Sequence, residues 1–274
     1  MNTGTILAGW LGLGLTVADS FKPSEPSPPS AGAWTNSLGM PFVSVPGAPV
    51  RFCVWETRVQ DFATFVAATG HDTGDAMLVV GTNGWQTCPG RHWRNPGFPQ
   101  TPRHPVVGVN WRDARAFCQW LTDHERRQDR IGDRAVYRLP TDVEWSAAVG
   151  LTNETGRNPQ ARFLGVPAVF PWGTNWPPTT LVGNLAPELG VDSFDRTSAV
   201  GSFAPNPLEI FDLAGNVAEW CEDLWNDEKT FRVLRSAPWN NDCRLCLMSS
   251  YRFVNLPEVR IDFYGFRVVL PLSD

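Results

Sequence analysis

Apolar and polar positions fall into helical register twice along this chain, both times in its first half. In DFATFVAAT, residues 61–69, Phe62, Phe65 and Val66 share one face before Gly70, so a helix stopped by that glycine is predicted. In WRDARAFCQWLTDHERR, residues 111–127, Trp111, Ala114, Cys118 and Leu121 line one side, and Asn110 stands where an N-cap belongs. That reading makes Cys118 a core residue. PVRFCVWETR, residues 49–58, alternates as a strand does. About forty residues separate Gly70 from Asn110, and with GTNGWQTCPGRHWRNPGF among them they read as a loop. Thr141 and Glu144 form a capping box, in which the hydroxyl accepts from the amide of 144 and the carboxylate from the amide of 141. Glu144 is then a helix starter rather than a catalytic acid. Beyond residue 151 helical periodicity all but vanishes.

Composition agrees with a loop-rich body. The 274 residues include 13 Trp, 24 Gly and 24 Pro, which suits a domain pinned by large rings rather than a helical bundle. A net charge of −5 with no basic stripe argues against nucleic acid as a partner. Residues 3–18 are apolar but short and lack the positive flank of a standard signal, so membrane association is not expected. They read equally as a weak signal or a packed terminus, and the compartment stays open, with export or cell-surface display as one candidate. Residues 19–36 are dense in Pro and Ser, as linkers are. The division expected is 1–35 for apolar segment and linker and 36–274 for one domain.

The last forty residues carry a different signal. Arg235, Trp239, Arg252, Pro257 and the run Gly265-Phe266-Arg267-Val268-Val269 stand like fixed posts. Between them lie Asn240, Asn241, Asp242, Cys243, Leu245, Cys246, Phe253, Val254, Asn255, Leu256, Val259, Ile261, Asp262, Phe263 and Tyr264. That mixture follows neither a period of 2 nor one of 3.6. With Trp239 these positions are the candidate ligand-binding face, and their apolar members are expected to share one exposed surface.

The ordered blocks NSLGMPFVSVPG, WETRVQDFATFV, HPVVGVNWRDARAFCQWL, YRLPTDVEW, FPWG, GNVAEW and GFRVV resemble the sulfatase-modifying-factor family, typified by the formylglycine-generating enzyme. The resemblance runs from residue 36 to 270. It implies an α+β, C-type-lectin-like fold, loop-rich, with two main helices and short antiparallel strands. It also implies structural calcium, one site on Asp212, Gly215, Val217 and Glu219 and a second on Asn184, Leu185, Asp192 and Phe194. Calcium wants hard oxygens, which carboxylates and backbone carbonyls supply.

The family's oxidase holds copper on a C-x4-C pair placed after an R-G-G-S motif. Here the motif reads Arg235-Ser236-Ala237-Pro238 and the cysteines, Cys243 and Cys246, are C-x2-C. Copper-dependent oxidation of sulfatase cysteines through those two thiols is therefore the alternative. The tail is also similar to the variable proteins of diversity-generating retroelements, which rewrite asparagine codons and never yield Lys, Glu, Gln, Met or Trp there. None of those five types occurs among the irregular positions. That likeness implies a binding protein with a hypervariable surface for a protein or glycan ligand, and no catalytic residue.

Overall fold

The computed structural model describes residues 33–81, 84–228 and 230–272. The apolar segment and nearly all of the linker expected before residue 36 lie outside the described residues. Trp34–Thr35, which the sequence assigns to the linker, instead form β1 and pair with β2, Pro41–Ser44. Residues 34–35 thus belong to the first sheet rather than to a linker. Trp34 explains why, since its ring rests 5.3 Å from Phe42 and 6.2 Å from Tyr137.

The helices form for the local reasons the sequence supplies. Helix α1, Val59–Thr69, ends where Gly70 turns left-handed at φ 65°. In α2, Trp111–Arg126, the Asn110 side chain accepts from the Asp113 amide at 2.8 Å, and the Asp113 carboxylate accepts from the Asn110 amide at 3.0 Å. Thr141 and Glu144 do the same at the start of α3, Asp142–Ala148. The Phe62 and Phe117 rings of α1 and α2 meet Phe266, and Phe65 packs edge-on against both, within the main apolar cluster. A single turn, α4, spans Pro159–Arg162.

Strand β3, Val50–Cys53, joins β2 to the chain's last strand, β10, Val269–Pro271, so the two ends of the domain share one antiparallel sheet. A second sheet has the order β8-β7-β6-β9, built from Ala218–Leu224 (β6), Arg232–Arg235 (β7), Phe253–Asn255 (β8) and Tyr264–Gly265 (β9). Its β6–β9 pair is parallel and the other two pairs are antiparallel. Cys221 is buried within β6.

The stretch between Gly70 and Asn110 is not the plain loop expected. Ala76–Gly81 (β4) and Gly84–Pro89 (β5) form a six-pair hairpin. It docks on the tail where the Leu78 amide donates to the Arg260 carbonyl at 2.9 Å. An Asn-Gly dipeptide at 83–84 was the turn signal in the sequence.

Candidate functional site

The posts noted in the tail are anchors. Arg235 and Arg252, both with fully buried side chains, converge on the carboxylate of Asp142, the first residue of α3. Arg235 Nη1 reaches Asp142 Oδ1 at 2.6 Å, Arg252 donates to both oxygens at 3.0 Å, and Arg162 Nε adds a bond at 2.9 Å. Burial opposes the ionised form, but the three guanidiniums override it and hold the Asp142 carboxyl down at about 2. Arg235 and Arg252 bracket residues 236–251, so this hub fixes both ends of the first irregular stretch. Arg267 serves the second stretch, holding Glu219 through Nε at 2.7 Å and Nη2 at 2.6 Å.

The candidate face divides in two. Asp242, Cys243 and Leu245 are exposed, and Asn240, Asn241, Cys246, Phe253, Val254, Asn255, Leu256, Val259 and Asp262 are half-buried. Ile261, Phe263 and Tyr264 do not belong to that surface, being buried in the main core, and Trp239, also buried there, reaches it only as part of a groove wall. The backbone explains the correction. Ile261 is bridged to Leu78 of the hairpin, and Tyr264 runs parallel to Ala218 in the second sheet, so their side chains are drawn inward. One shared exposed apolar face, as the sequence suggested, is therefore not what the fold builds.

What the fold does build is a groove of about 360 Å³ where the tail meets two other segments. Trp239, Asn240 and Asp262 come from the tail, Val80 from β4, and Pro187, Glu188, Asp195 and Arg196 from the segment before β6. Its volume suits a side chain or a small polar ligand. The Arg196 guanidinium lies 4.5 Å over the Trp239 ring. Burial pushes the Asp262 carboxyl up to about 6, against the opposing pull of Arg196 and Arg91. Sequence reasoning missed the contributions of Val80, Glu188, Asp195 and Arg196. Only the hairpin had a signal to find; nothing local ties 187–196 to the tail.

Cys243 and Cys246 sit on one tight turn, closed by the Leu247 amide on the Cys243 carbonyl at 3.1 Å. The Cys246 amide points at Cys243 Sγ, 3.4 Å away. Burial raises the Cys246 thiol to about 11, and a hydrogen bond with Cys243 adds to the rise.

The two expected calcium sets differ in how well their chemistry fits. In the first, both Glu219 oxygens are taken, by Arg267 and by Trp145 Nε1 at 3.0 Å, and the Gly215 carbonyl accepts the Ser236 hydroxyl at 3.2 Å. Asp212 keeps one buried oxygen without a partner, but Glu219 is already neutralised, so these four residues do not form a cation cage. In the second, Asp192 draws Leu185 and Phe194 together, accepting from their amides at 2.9 and 2.8 Å. The adjacent Asn184 leaves its Oδ1 buried and unpartnered, the hard oxygen a cation would take. That oxygen is the observation on which a calcium proposal rests, although Asp192, like Glu219, already has both of its oxygens occupied.

The mixed short strands, the end-to-end sheet and the loop-built tail define a C-type-lectin-like scaffold of the α+β class. Residues 51–272 match the sulfatase-modifying factor enzyme 1-like domain, and the chain belongs to that family. It is 31% identical to the formylglycine-generating enzyme of Thermomonospora curvata over 199 residues, covering 61% of this chain and 57% of that one. It is also 31% identical to inactive C-alpha-formylglycine-generating enzyme 2 of Mus musculus, over 69% of this chain and 58% of the relative. The chain thus spans roughly three fifths of the length of the curated relatives it matches. Among solved structures, Treponema denticola variable protein 1 superposes with a TM-score of 0.55 at 20% identity, covering 88% of this chain and all of that one.

Proposed function

We propose that this chain is a ligand-binding protein that presents a variable C-terminal surface on a lectin-like scaffold, diversified by a retroelement, to a protein or glycan. The single observation that carries the reading is the groove in which irregular tail residues, Asn240 and Asp262, face side chains from two other segments of the chain. Loops clamped by a buried hub are ordered before a ligand arrives, which lowers the entropic cost of binding. The structural likeness to a variable protein supports the scaffold. Calcium at Asn184, Leu185, Asp192 and Phe194 stiffens the segment that leads into the groove.

The test is a selection of peptides and glycans on arrays with the intact chain, repeated with Asn240→Arg and Asp262→Arg. Hits should be lost in both variants and kept in Arg157→Ala, whose side chain is exposed and remote from the tail in sequence. Hits indifferent to both tail substitutions overturn the reading. An adenine-rich near-copy of the DNA encoding residues 240–264 is the observation that tests diversification.

A second reading, copper-dependent formylglycine generation on sulfatase cysteines, draws on the hydrogen-bonded Cys243–Cys246 pair and on relatives named for that activity. The shortened spacing and the Pro238 in place of a serine argue against it, because metal-bound thiolates must be held to about half an ångström.

A further inference from the structure

The cysteines divide by access. Cys53, Cys118 and Cys221 are sealed in the core, where burial pushes all three thiols up and keeps them protonated and inert. Cys88 is half-buried on β5. Cys243 is exposed, and Cys246, half-buried, shares its turn.

That turn is wound like a short piece of helix. Its amides run back along the chain, Leu247 to the Cys243 carbonyl at 3.1 Å and Met248 to the Leu245 carbonyl at 3.2 Å. Residues three apart on such a turn face the same way. The two sulfurs accordingly meet: the Cys246 thiol hydrogen-bonds Cys243, and the Cys246 amide points at Cys243 Sγ from 3.4 Å. Asn241 holds the near end, its Oδ1 accepting the Cys243 amide at 3.0 Å.

The pair is also asymmetric. Cys246 lines a narrow crevice with Tyr251, Leu247 and Trp172, and its thiol hydrogen-bonds Tyr251 and Asn241 as well as Cys243. Burial keeps that thiol protonated at neutral pH. A reagent arriving from solvent therefore meets Cys243 first, with Cys246 standing behind it in contact. Exposed attacker and sheltered partner is the arrangement that lets one thiol open a disulfide and the other complete the exchange.

We propose that Cys243 and Cys246 form a redox-active dithiol that exchanges with low-molecular-mass disulfides, Cys243 attacking and Cys246 resolving. The Cys243 thiolate attacks one sulfur of the incoming disulfide and expels the other as a thiolate, which leaves a mixed disulfide on Cys243. Cys246 gives its proton to solvent, attacks Cys243 Sγ and expels the second small thiolate. Two electrons reduce the incoming disulfide to two thiols, and the two cysteines become one intrachain disulfide. The step needs neither copper nor a sulfatase cysteine, and it stands whatever the groove binds.

Arg244, between the two cysteines, makes the product readable. Trypsin cutting after Arg235, Arg244 and Arg252 puts Cys243 in residues 236–244 and Cys246 in residues 245–252. A closed pair then appears as those two peptides joined, lighter by two hydrogens than their sum. The intact folded chain is incubated with glutathione disulfide, sampled over time, quenched with an alkylating agent and digested without reduction. Joined peptides should become the main tail product, on a chain that stays monomeric in a non-reducing gel. The glutathione adduct on Cys243 should be transient in wild type and persist in Cys246→Ser. In Cys243→Ser, the adduct on Cys246 should form at least about tenfold more slowly than the Cys243 adduct does in Cys246→Ser. A tail that stays reduced while the urea-unfolded chain is oxidised overturns the proposal. So does an adduct that accumulates in wild type without closing, a disulfide between two copies, or a Cys246 that reacts as fast as Cys243.

Discussion

Replacing Asp142 with Asn removes the charge on which Arg235, Arg252 and Arg162 converge, and its effect can be worked from the structure. The carboxyl is held at about 2, against an ordinary value near 4, because the three guanidiniums outweigh burial. Two units correspond to roughly 2–3 kcal/mol of preference for the ionised form in the folded state. Asparagine also leaves buried arginines short of a partner, which brings the total to about 3–5 kcal/mol. In a domain of this size each kcal/mol moves the melting midpoint by about 2–4 °C, so a fall on the order of 10 °C is expected at pH 7. The pH dependence supplies a second, independent check. A depressed carboxyl contributes stability that is fully present above the unfolded value, near 4, and is lost as pH falls towards 2. Wild type and Asp142→Asn should therefore converge by roughly 2 kcal/mol between pH 5 and pH 2, as followed by urea unfolding with circular dichroism. A gap below about 1 kcal/mol at pH 7, or one that stays constant with pH, refutes the hub as described.

Two further outcomes follow from the metal sets and the cysteines. Calcium should raise the midpoint relative to chelator, by about 2.7 kcal/mol of stabilisation at a hundredfold excess over Kd. Asp192→Asn should erase that increment and Glu219→Gln should leave it intact, and the reverse pattern would restore the first set as the site. Incubated with copper(I), reductant, oxygen and a cysteine-containing sulfatase peptide, the chain should produce no aldehyde detectable by mass. Aldehyde formation abolished by Cys246→Ala would instead establish the oxidase.

Local chemistry made part of the fold legible. The Phe62, Phe65 and Val66 face, the Gly70 stop, the Asn110 cap and the Thr141–Glu144 box each rest on residues within a few positions of one another, and each is present as read. The second sheet escaped because β6 is buried along its first four residues and bulged between Trp220 and Leu224, so no alternation reaches the sequence. Asp142 escaped for a related reason. It reads as an ordinary first-turn acid, while the arginines that give it its role lie 93 and 110 residues away. The posts in the tail were recognisable as fixed; what they are fixed to is a long-range fact.

The same limit explains which tail positions the sequence misplaced, and the misplacement bears on function. Ile261 and Phe263 are buried while Asp262 between them is half-exposed, a local alternation set by the hairpin bridge and by β9. A list of permitted residue types is blind to that alternation. Truncating a buried aliphatic or aromatic residue typically costs about 2–5 kcal/mol, a large share of the stability of an ordinary domain. Free variation at Ile261, Phe263 or Tyr264 would thus unfold many variants before any ligand was tested. Variation at Asn240, Asp242, Cys243, Leu245 or Asp262 leaves the core untouched, because these side chains lie outside it. A scaffold that tolerates diversification must separate the positions that carry stability from those that meet the ligand. Under the proposed function, Arg235, Arg252 and Arg267 would keep those positions apart, since their buried ion pairs run to Asp142, Glu154 and Glu219 rather than to the exposed tail residues.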